Sequence, residues 1–343
     1  MEEGWHKFEI FSGDKVQETL YFNKIDNLPN FLIPEIVVLV GRNCNKKYYN
    51  KNYAAHMQDS YSVNNTYFGY YHTIHHDNVD PNGVPLLVYD NVTYYHPVQI
   101  AEYALSLYDD NKMTDEEINL FLTCANYLSD NLNEQGGFPY NFDWVMHGIV
   151  CKSPWFSGMA QGQMLSVISR AYYLTKNDKY LIAGKRIMDF MITNAGLSYP
   201  YNGCKVSLKQ FSLLHESLSK YSDFVIYEEY VDKESSYVLN GNLFALVGLH
   251  DYYEVSGDMT AYNAFMEGCK SIAVMLPYYD YYGSTSYDLV HLMHPEREPT
   301  FNSGYAHDCH IMLLDALFEY TRNELFARYR DNFISYYFPP FVD

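Results

Sequence analysis

The chain has 343 residues, of which 48% are hydrophobic and 19% charged, so it can bury a large core and is not a disordered protein. Its formal net charge of −19 argues against nucleic acid as a partner, because phosphate binding needs a basic face, and against densely sulfated polyanions. The 37 tyrosines indicate either a sugar-lined groove or the amino-acid usage of an AT-rich genome.

Residues 1–72 are predicted to form a separate N-terminal appendage with short β elements. Strand-like patterns occur at residues 8–11 and 36–40, and glycine and proline interrupt them. The first ten residues, MEEGWHKFEI, lack the basic and apolar regions of a signal peptide, and the longest apolar run is too short to span a bilayer. We therefore expect a cytoplasmic protein with no membrane span, whose six scattered cysteines are free thiols.

Residues 73–343 are predicted to form one mainly α domain. Pro97 suits the first turn of a helix, and Thr114 with Glu117 has the pattern of a capping box. Apolar residues at helical spacing predict further helices around Leu165 to Leu174 and over about 179–193, 238–255, 261–275, 307–322 and 324–336. Helix pairs thus alternate with aromatic loops, and such pairs arranged in a ring form an α/α toroid whose loops line a cleft at one end.

Several common types of site are excluded or disfavoured by the motifs. The chain has no strand–helix alternation, GxGxxG, P-loop, GxSxG or HExxH, which argues against nucleotide-binding folds and the usual hydrolase motifs. The histidine clusters at residues 72–77 and 307–310 are better explained as a polar loop and as buried side chains than as metal ligands. We predict neither a metal nor a cofactor.

The segment 227–241, YEEYVDKESSYVLNG, holds the main candidates for chemistry. Glu228 and Glu229 lie between Tyr227 and Tyr230, ahead of a predicted helix. Taken alone, the segment is better explained as a solvated acidic turn. The alternative is proton transfer, because burial can bring a glutamate pKa toward neutrality and neighbouring cations can lower that of a tyrosine.

A series of motifs falls in one order across residues 80–320: GVPL at Gly83, HPVQIAEYALSLY at His96, GGFP at Gly136, WFSGMAQGQ at Trp155, then YEEY and SSYVLNG, LVGLHD at Leu246, GCKSIAVMLPYYD at Gly268 and STSYDL at Ser284. In these motifs the chain resembles the catalytic region of D-glucuronyl C5-epimerases, which turn glucuronate into iduronate within heparan-type polymers. The resemblance implies an α/α toroid, a glucuronate-containing oligo- or polysaccharide as partner, and a homodimer. Larger members insert a β-sandwich after the first of these helices, and the short interval that follows Leu107 indicates that this chain lacks it.

The resemblance also places functional residues. Its Glu–Tyr pair falls on Glu229 and Tyr230, its second tyrosine on Tyr287 and its third on Tyr305. We predict that Glu229 takes the C5 proton, that Tyr305 supplies one to the opposite face, and that the other two phenols hold the sugar carboxylate. Predicted substrate contacts are Asn240, His310, Tyr95, Gln99, Gln161 and Gln163, of which the last two are equally consistent with capping backbone groups.

Three departures from the family pattern concern the substrate. Phe244 replaces a substrate-contacting tyrosine, and Val290 replaces an arginine expected after the YDL motif. His310 lies five residues beyond Tyr305, where the family spacing is four. Because a guanidinium pairs well with carboxylate or sulfate, Val290 favours an unsulfated substrate.

Two other functions compete with epimerisation. A uronate polysaccharide lyase shares the first proton abstraction but then eliminates at C4 and leaves an unsaturated product. A non-catalytic glycan-binding protein is the third alternative. The presence of Glu229, Tyr230, Tyr287 and Tyr305 together argues against it, because binding alone needs no acid–base pair.

Overall fold

The computed structural model describes residues 4–12, 15–24, 60–68, 76–109, 112–146, 149–281, 284–301 and 305–336. Within these ranges the chain is mainly helical, which confirms the predicted class. The helices are α1 (Pro97–Leu107), α2 (Asp115–Asp130), α3 (Gly158–Thr175), α4 (Asp178–Met191), α5 (Leu239–Ser256), α6 (Met259–Tyr279), α7 (Val290–Met293), α8 (Tyr305–Thr321) and α9 (Glu324–Ser335). Strands form antiparallel pairs: β1 (Gly4–Ser12) with β2 (Lys15–Lys24), β3 (Leu87–Tyr89) with β4 (Val92–Tyr94), β5 (Trp144–Met146) with β6 (Ile149–Cys151), and β7 (Lys205–Ser207) with β8 (Val225–Tyr227).

The N-terminal hairpin contains the strand that the sequence predicts at residues 8–11. Its register runs from Gly4 opposite Lys24 to Ser12 opposite Lys15, with an irregularity between Ile10 and Phe11. The strand predicted at residues 36–40 lies outside the described residues. The domain boundary at residue 72 stays a prediction.

Residues 60–68 pack into the helical core. Tyr67 and Phe68 are almost fully buried, and the Tyr108 hydroxyl donates to the backbone carbonyl of Val63. The backbone amide of Val63 in turn donates to the carboxylate of Glu254 on α5. This part of the predicted appendage therefore contributes to the core of the helical region.

Sequential helices pack in pairs, as the sequence predicts: α1 with α2, α3 with α4, α5 with α6, and α8 with α9. The predicted capping box begins α2, where the Thr114 hydroxyl accepts from the Glu117 amide at 3.2 Å and the Glu117 carboxylate accepts from the Thr114 amide at 2.7 Å. Helix α6 runs a full turn beyond its predicted end, although Pro277 lies inside its last turn.

The first helices of these pairs form an inner row in which α3 packs against α1 and α5, and α5 packs against α8. Helix α3 is buried on every side from Gly158 to Ala171, as expected of a helix surrounded by others. The backbones of α3 and α5 touch, since a Cβ at Gly248 would lie 2.0 Å from the carbonyl oxygen of Gly162. Whether the row closes into a ring stays a prediction.

None of the helices in the described ranges combines the length and the apolar character needed to cross a bilayer. The thiols of Cys124, Cys151, Cys204 and Cys269 are buried and free. These four agree with the free thiols that the sequence predicts.

Candidate active site

One cavity of about 290 Å³ lies where the N-terminal ends of α1, α3 and α5 meet the loops. Its walls are formed by His96, Val98, Gln99, Glu102, Tyr140, Phe142, Trp144, Trp155, Ser157, Met159, Glu229, Tyr230, Asn240 and Tyr287. Helix N-termini carry a partial positive charge and unpaired backbone amides. Three of them at one cavity suit an anionic ligand, although the chain as a whole is strongly acidic.

The YEEY segment is not a solvated turn. It leaves strand β8, and the backbone of Glu228 is fixed on both sides, since its amide donates to Cys204 at 2.8 Å and its carbonyl accepts from the Gly158 amide at 2.7 Å. The Glu228 carboxylate accepts from the Ser236 hydroxyl at 2.5 Å and holds the loop closed. Glu228 and Glu229 are only 1% and 6% exposed, so both carboxyls belong to the interior.

Two loops bring Glu229, Tyr230 and Tyr287 together. The Tyr287 hydroxyl donates to Glu229 Oε1 at 3.2 Å, and the hydroxyls of Tyr230 and Tyr287 lie 3.2 Å apart. The backbone amide of Tyr287 donates to Thr300 at 2.7 Å, and its carbonyl accepts from Leu239, the first residue of α5, at 3.0 Å. The backbone that carries these three side chains thus leaves strand β8 on one side and is hydrogen-bonded to the start of α5 on the other.

Burial raises the pKa of Glu229 to about 7, although hydrogen bonds from Tyr230 and Tyr287 oppose the shift. Burial likewise raises the pKa of Glu228 to about 7. The pKa of Tyr230 lies well above its usual value because the phenol is buried and faces the Glu229 carboxylate. No lysine or arginine is among the described residues that line the cavity, so the expected lowering of a tyrosine pKa by cations is wrong for Tyr230. Glu229 is poised as a base near neutral pH, and Tyr230 stays a neutral donor.

Three polar atoms of the cavity residues are buried and have no hydrogen-bond partner among the described residues. They are Glu229 Oε2, Asn240 Oδ1 and Gln99 Oε1. Leaving a buried polar atom unpaired costs about 1–3 kcal/mol, so such atoms in a native cavity indicate a place for a polar ligand. Asn240 and Gln99 thus line the cavity, and their role as substrate contacts stays a prediction.

The other predicted contacts lie outside the residues that line this cavity. Gln161 is fully buried and its amide is within 3.5 Å of the backbone of Phe138, which is the capping alternative. The Gln163 side-chain amide donates to the carboxylate of Glu102 at 3.2 Å. Gln163 therefore contacts a residue that lines the cavity without lining it itself. The Tyr95 hydroxyl donates to Asp80 at 3.1 Å.

His310 and Tyr305 both fall on α8. His310 is fully buried, and its Nδ1 lies 2.8 Å from the Thr285 hydroxyl. Tyr305 is the first residue of that helix, and its side chain lies outside the described part of the chain. Its role as the second proton carrier stays a prediction.

An aromatic wall at the cavity is a feature that the sequence interpretation missed. Tyr140 and Trp155 stack with ring centres 3.9 Å apart and planes at 11°, and Tyr230 lies 6.0 Å from Trp155. Trp144, from the β5–β6 hairpin, packs against Tyr89 of the β3–β4 hairpin at 5.5 Å. Two of the matching motifs, WFSGMAQGQ and YEEY, contain Trp155 and Tyr230. Helical periodicity alone does not separate such wall residues from core residues.

Val290, which stands at the position of the expected arginine, is buried in the same cluster as Tyr230 and Tyr287. It also lines a second cavity of about 300 Å³, together with Ile149, Asp232, Lys233, Glu234, Ser235, His294 and Arg297. In this second cavity the His294 Nε2 lies 2.8 Å from the Glu234 carboxylate, so its walls contain both acidic and basic side chains. The first cavity therefore receives no guanidinium from residue 290.

A possible set of metal ligands lies elsewhere on α5. Donor atoms of His250, Asp251 and Glu254 come within 4.8 Å of one another. Asp251 already pairs with Arg170 at 2.7 Å, and Glu254 accepts from the backbone of Val63 at 3.1 Å. These residues come at least ten positions after Asn240, about 15 Å along the helix axis. Their partners give them a structural role in holding residues 60–68.

Gly241 provides a test of the site that leaves the acid–base groups in place. A Cβ at this position would lie 2.2 Å from Glu229 Oε2 and 2.7 Å from Glu229 Cβ. Gly241→Ala is therefore expected to displace the carboxyl from Tyr287 and to lower any C5 exchange activity by about 10²-fold, as a misplacement of about 1 Å does. Exchange rates and circular dichroism of the two proteins check this result. Unchanged exchange in a folded Gly241→Ala protein would contradict the placement of Glu229.

Comparison with known proteins places the chain in a family. The family described as the D-glucuronyl C5-epimerase C-terminus matches residues 132–335, more than half of the chain. A D-glucuronyl C5-epimerase of Caenorhabditis elegans is 26% identical over 239 residues, which cover 65% of this chain and 35% of that protein. An uncharacterised protein of Methanocaldococcus jannaschii is 27% identical over 190 residues, which cover 55% of this chain and 54% of that protein. The chain thus spans about a third to a half of the curated relatives that it matches.

Proposed function

Because the chain belongs to the family of the D-glucuronyl C5-epimerase C-terminus, we propose that it is an isomerase that epimerises D-glucuronate to L-iduronate residues within a polysaccharide. The observation that carries this proposal is the contact of the Glu229 carboxyl with the Tyr287 phenol at 3.2 Å, next to Tyr230, in a cavity at three helix N-termini. The inner row α1, α3, α5 and α8 would then be an arc of an α/α toroid. The cytoplasmic location and the homodimer stay predictions.

The reaction begins with removal of the C5 proton. The Glu229 carboxylate accepts this proton, and the negative charge left at C5 moves onto the adjacent sugar carboxylate as an enediolate. The neutral phenols of Tyr230 and Tyr287 donate hydrogen bonds to that charge. Tyr305 returns a proton to the opposite face, and in the reverse direction the base and the acid exchange roles. All of these steps are proton transfers that need no other reagent.

The exchange rate is expected to fall as the pH drops through about 7. Burial raises the pKa of Glu229 to about 7, so the carboxylate that takes the proton is lost below that value. A profile of kcat/KM for C5 exchange between about pH 5.5 and 8.5 measures this dependence. The inflection belongs to the coupled pair Glu228 and Glu229, since both titrate near the same pH. A flat profile over this range would show that Glu229 is not the base.

Incubation with unsulfated glucuronate polymers in heavy water tests the function directly. An epimerase incorporates deuterium at C5, forms iduronate and leaves the chain unbroken, all of which are visible by NMR. An unsaturated uronate product would identify a lyase instead. Measurable affinity for the polymers with no exchange would identify a glycan-binding protein.

An unsulfated substrate is favoured by the cavity itself. Its described walls contain no lysine or arginine, and Val290 fills the place where the family has an arginine. A sulfate group would bring a fixed charge to this cavity without a cation to pair with it. Comparison of exchange rates on sulfated and unsulfated polymers with the same backbone distinguishes the two.

A further inference from the structure

His96 lies at the junction of α1 and the cavity. Its ring packs edge-on against Tyr140, with the ring centres 4.9 Å apart, and it is one of the cavity walls. It is also the N-cap of α1, where its Nδ1 accepts a hydrogen bond from the backbone amide of Gln99 at 3.2 Å.

This cap fixes the protonation of the ring. A nitrogen that accepts a hydrogen bond carries no proton, so the proton of a neutral imidazole must lie on Nε2. Burial lowers the pKa of His96 to about 4, and the positive charge of His76 nearby adds to the shift. The other titratable groups at this cavity are Glu102, Glu229, Tyr140, Tyr230 and Tyr287. At neutral pH the ring is therefore an uncharged donor through Nε2.

The choice of residue is unusual for a cap. Serine, threonine, aspartate and asparagine cap helices best, because their short side chains reach the free amides. The chain uses such residues to cap its other α-helices, at Thr114, Ser157, Asn177, Asp258 and Asn323. A second histidine, His215, caps the short 3₁₀ helix Glu216–Tyr221 by accepting from the Ser217 amide at 3.2 Å, but it lies outside the cavity walls. Capping alone does not require an imidazole at residue 96, and only α1 places one in the cavity wall.

The proposed reaction creates a need for such a donor. Proton removal at C5 adds a second negative charge to a sugar carboxylate, and no lysine or arginine lies among the described cavity residues. The charge must be stabilised by neutral donors, and a histidine whose Nδ1 is already engaged has only Nε2–H to offer. An imidazolium at this place would instead be able to protonate the base.

We propose that His96 is a further catalytic residue, whose Nε2–H donates to the carboxylate of the bound uronate as the enediolate forms. This inference rests on the proposed function. It adds a donor from α1 to the two phenols that come from the loops around Glu229 and Tyr287.

The variant His96→Asn tests the Nε2–H donor of His96 separately from its capping of the Gln99 amide. Asparagine is a good N-cap, so the variant keeps an oxygen for the Gln99 amide, but it has no group at the reach of Nε2. We expect kcat for C5 exchange to fall by about 10²-fold, as on loss of one oxyanion donor, with Tm unchanged. Thr114→Ala is the matched control, because it removes the cap of α2 outside the cavity; it should lower Tm and leave kcat unchanged.

The outcomes separate this inference from the function on which it rests. Absence of exchange in the wild-type protein on every glucuronate polymer refutes the proposed function. Wild-type exchange with kcat of His96→Asn within about threefold of it, or a change in KM alone, overturns the role of His96. If His96→Asn does not fold, ¹⁵N NMR of the histidines in the wild-type protein decides. An Nε2–H ring between pH 5 and 8 supports the proposal, and an Nδ1–H ring or an imidazolium overturns it.

Discussion

Glu229→Gln is expected to lower the rate of C5 exchange by about 10²–10⁴-fold, the range attributed to a positioned general base. Glutamine has the same shape, and its amide oxygen still accepts from the Tyr287 hydroxyl, so the loop should keep its conformation. What is lost is the capacity to take a proton. Exchange in heavy water at about pH 8, where the wild-type carboxylate is ionised, measures the effect at its largest.

The same variant, Glu229→Gln, should lose activity without losing stability. The pKa of Glu229 is raised by burial to about 7 from 4.5, so its protonated form favours the folded state below pH 4.5. That contribution is lost as the pH rises through about 7, because a buried carboxylate must then be kept ionised. Glutamine never ionises, and Glu229→Gln should therefore be at least as stable as the wild type at pH 8. A lower Tm would mean that the substitution damages the fold.

Glu228→Gln is the matched control for this experiment. It changes the preceding residue, which is equally buried and has its pKa raised in the same way, but which holds Ser236 and lies outside the cavity walls. Its exchange rate should fall by much less than that of Glu229→Gln. Equal losses in the two variants would show that the acidic pair maintains the loop and that neither member is the base.

The helices could be predicted because the signals that specify them lie within their own sequence. Periodicity, Pro97 at a first turn and the capping box at Thr114 are local signals, and the structure has helices where they predict them. Helix ends were less exact where tertiary packing extends a helix past a proline, as at Pro277 in α6.

The site was predictable only in part, because burial is a property of the whole fold. The letters YEEY alone favour a solvated turn, and only the contacts of Glu228 with Cys204, Gly158 and Ser236 show that the loop turns inward. The resemblance to a family supplied Glu229, Tyr230 and Tyr287. It placed His96 at the start of a matching motif but gave it no role. The position of His96 in the cavity wall follows from where α1 begins relative to α3 and α5.

Gln161 shows why two roles of one side chain stayed open in the sequence. A glutamine before a predicted helix is an attractive substrate contact in a chain that resembles enzymes acting on glycans, and the sequence left backbone capping as an equal alternative. In the structure its amide lies beside the backbone of Phe138, which belongs to the GGFP turn. A polar side chain that supports the turn can be as specific to the family as one that contacts the ligand, so motif membership does not separate the two roles.

Arg170→Met is expected to destabilise the protein by about 3–5 kcal/mol, the cost of leaving one partner of a buried ion pair uncompensated. Arg170 on α3 pairs with Asp251 on α5 at 2.7 Å, and both side chains are almost fully buried. The guanidinium also lies over the rings of Tyr67 at 4.8 Å and Tyr108 at 5.5 Å. One side chain thus joins α3, α5, α1 and residues 60–68, so its loss should also make residues 60–68 more accessible to protease.

The double variant Arg170→Met/Asp251→Leu separates the ion pair from the packing. Replacing both partners by apolar residues removes the uncompensated charge, so the double variant should recover most of the loss. Urea unfolding at pH 7 of the wild type, both single variants and the double variant gives the coupling free energy. A single Arg170→Met loss below about 1 kcal/mol would place the pair in the range of exposed salt bridges and contradict its structural role. If the double variant is instead as unstable as the sum of the single ones, the guanidinium acts through its contacts with Tyr67 and Tyr108 and not through Asp251.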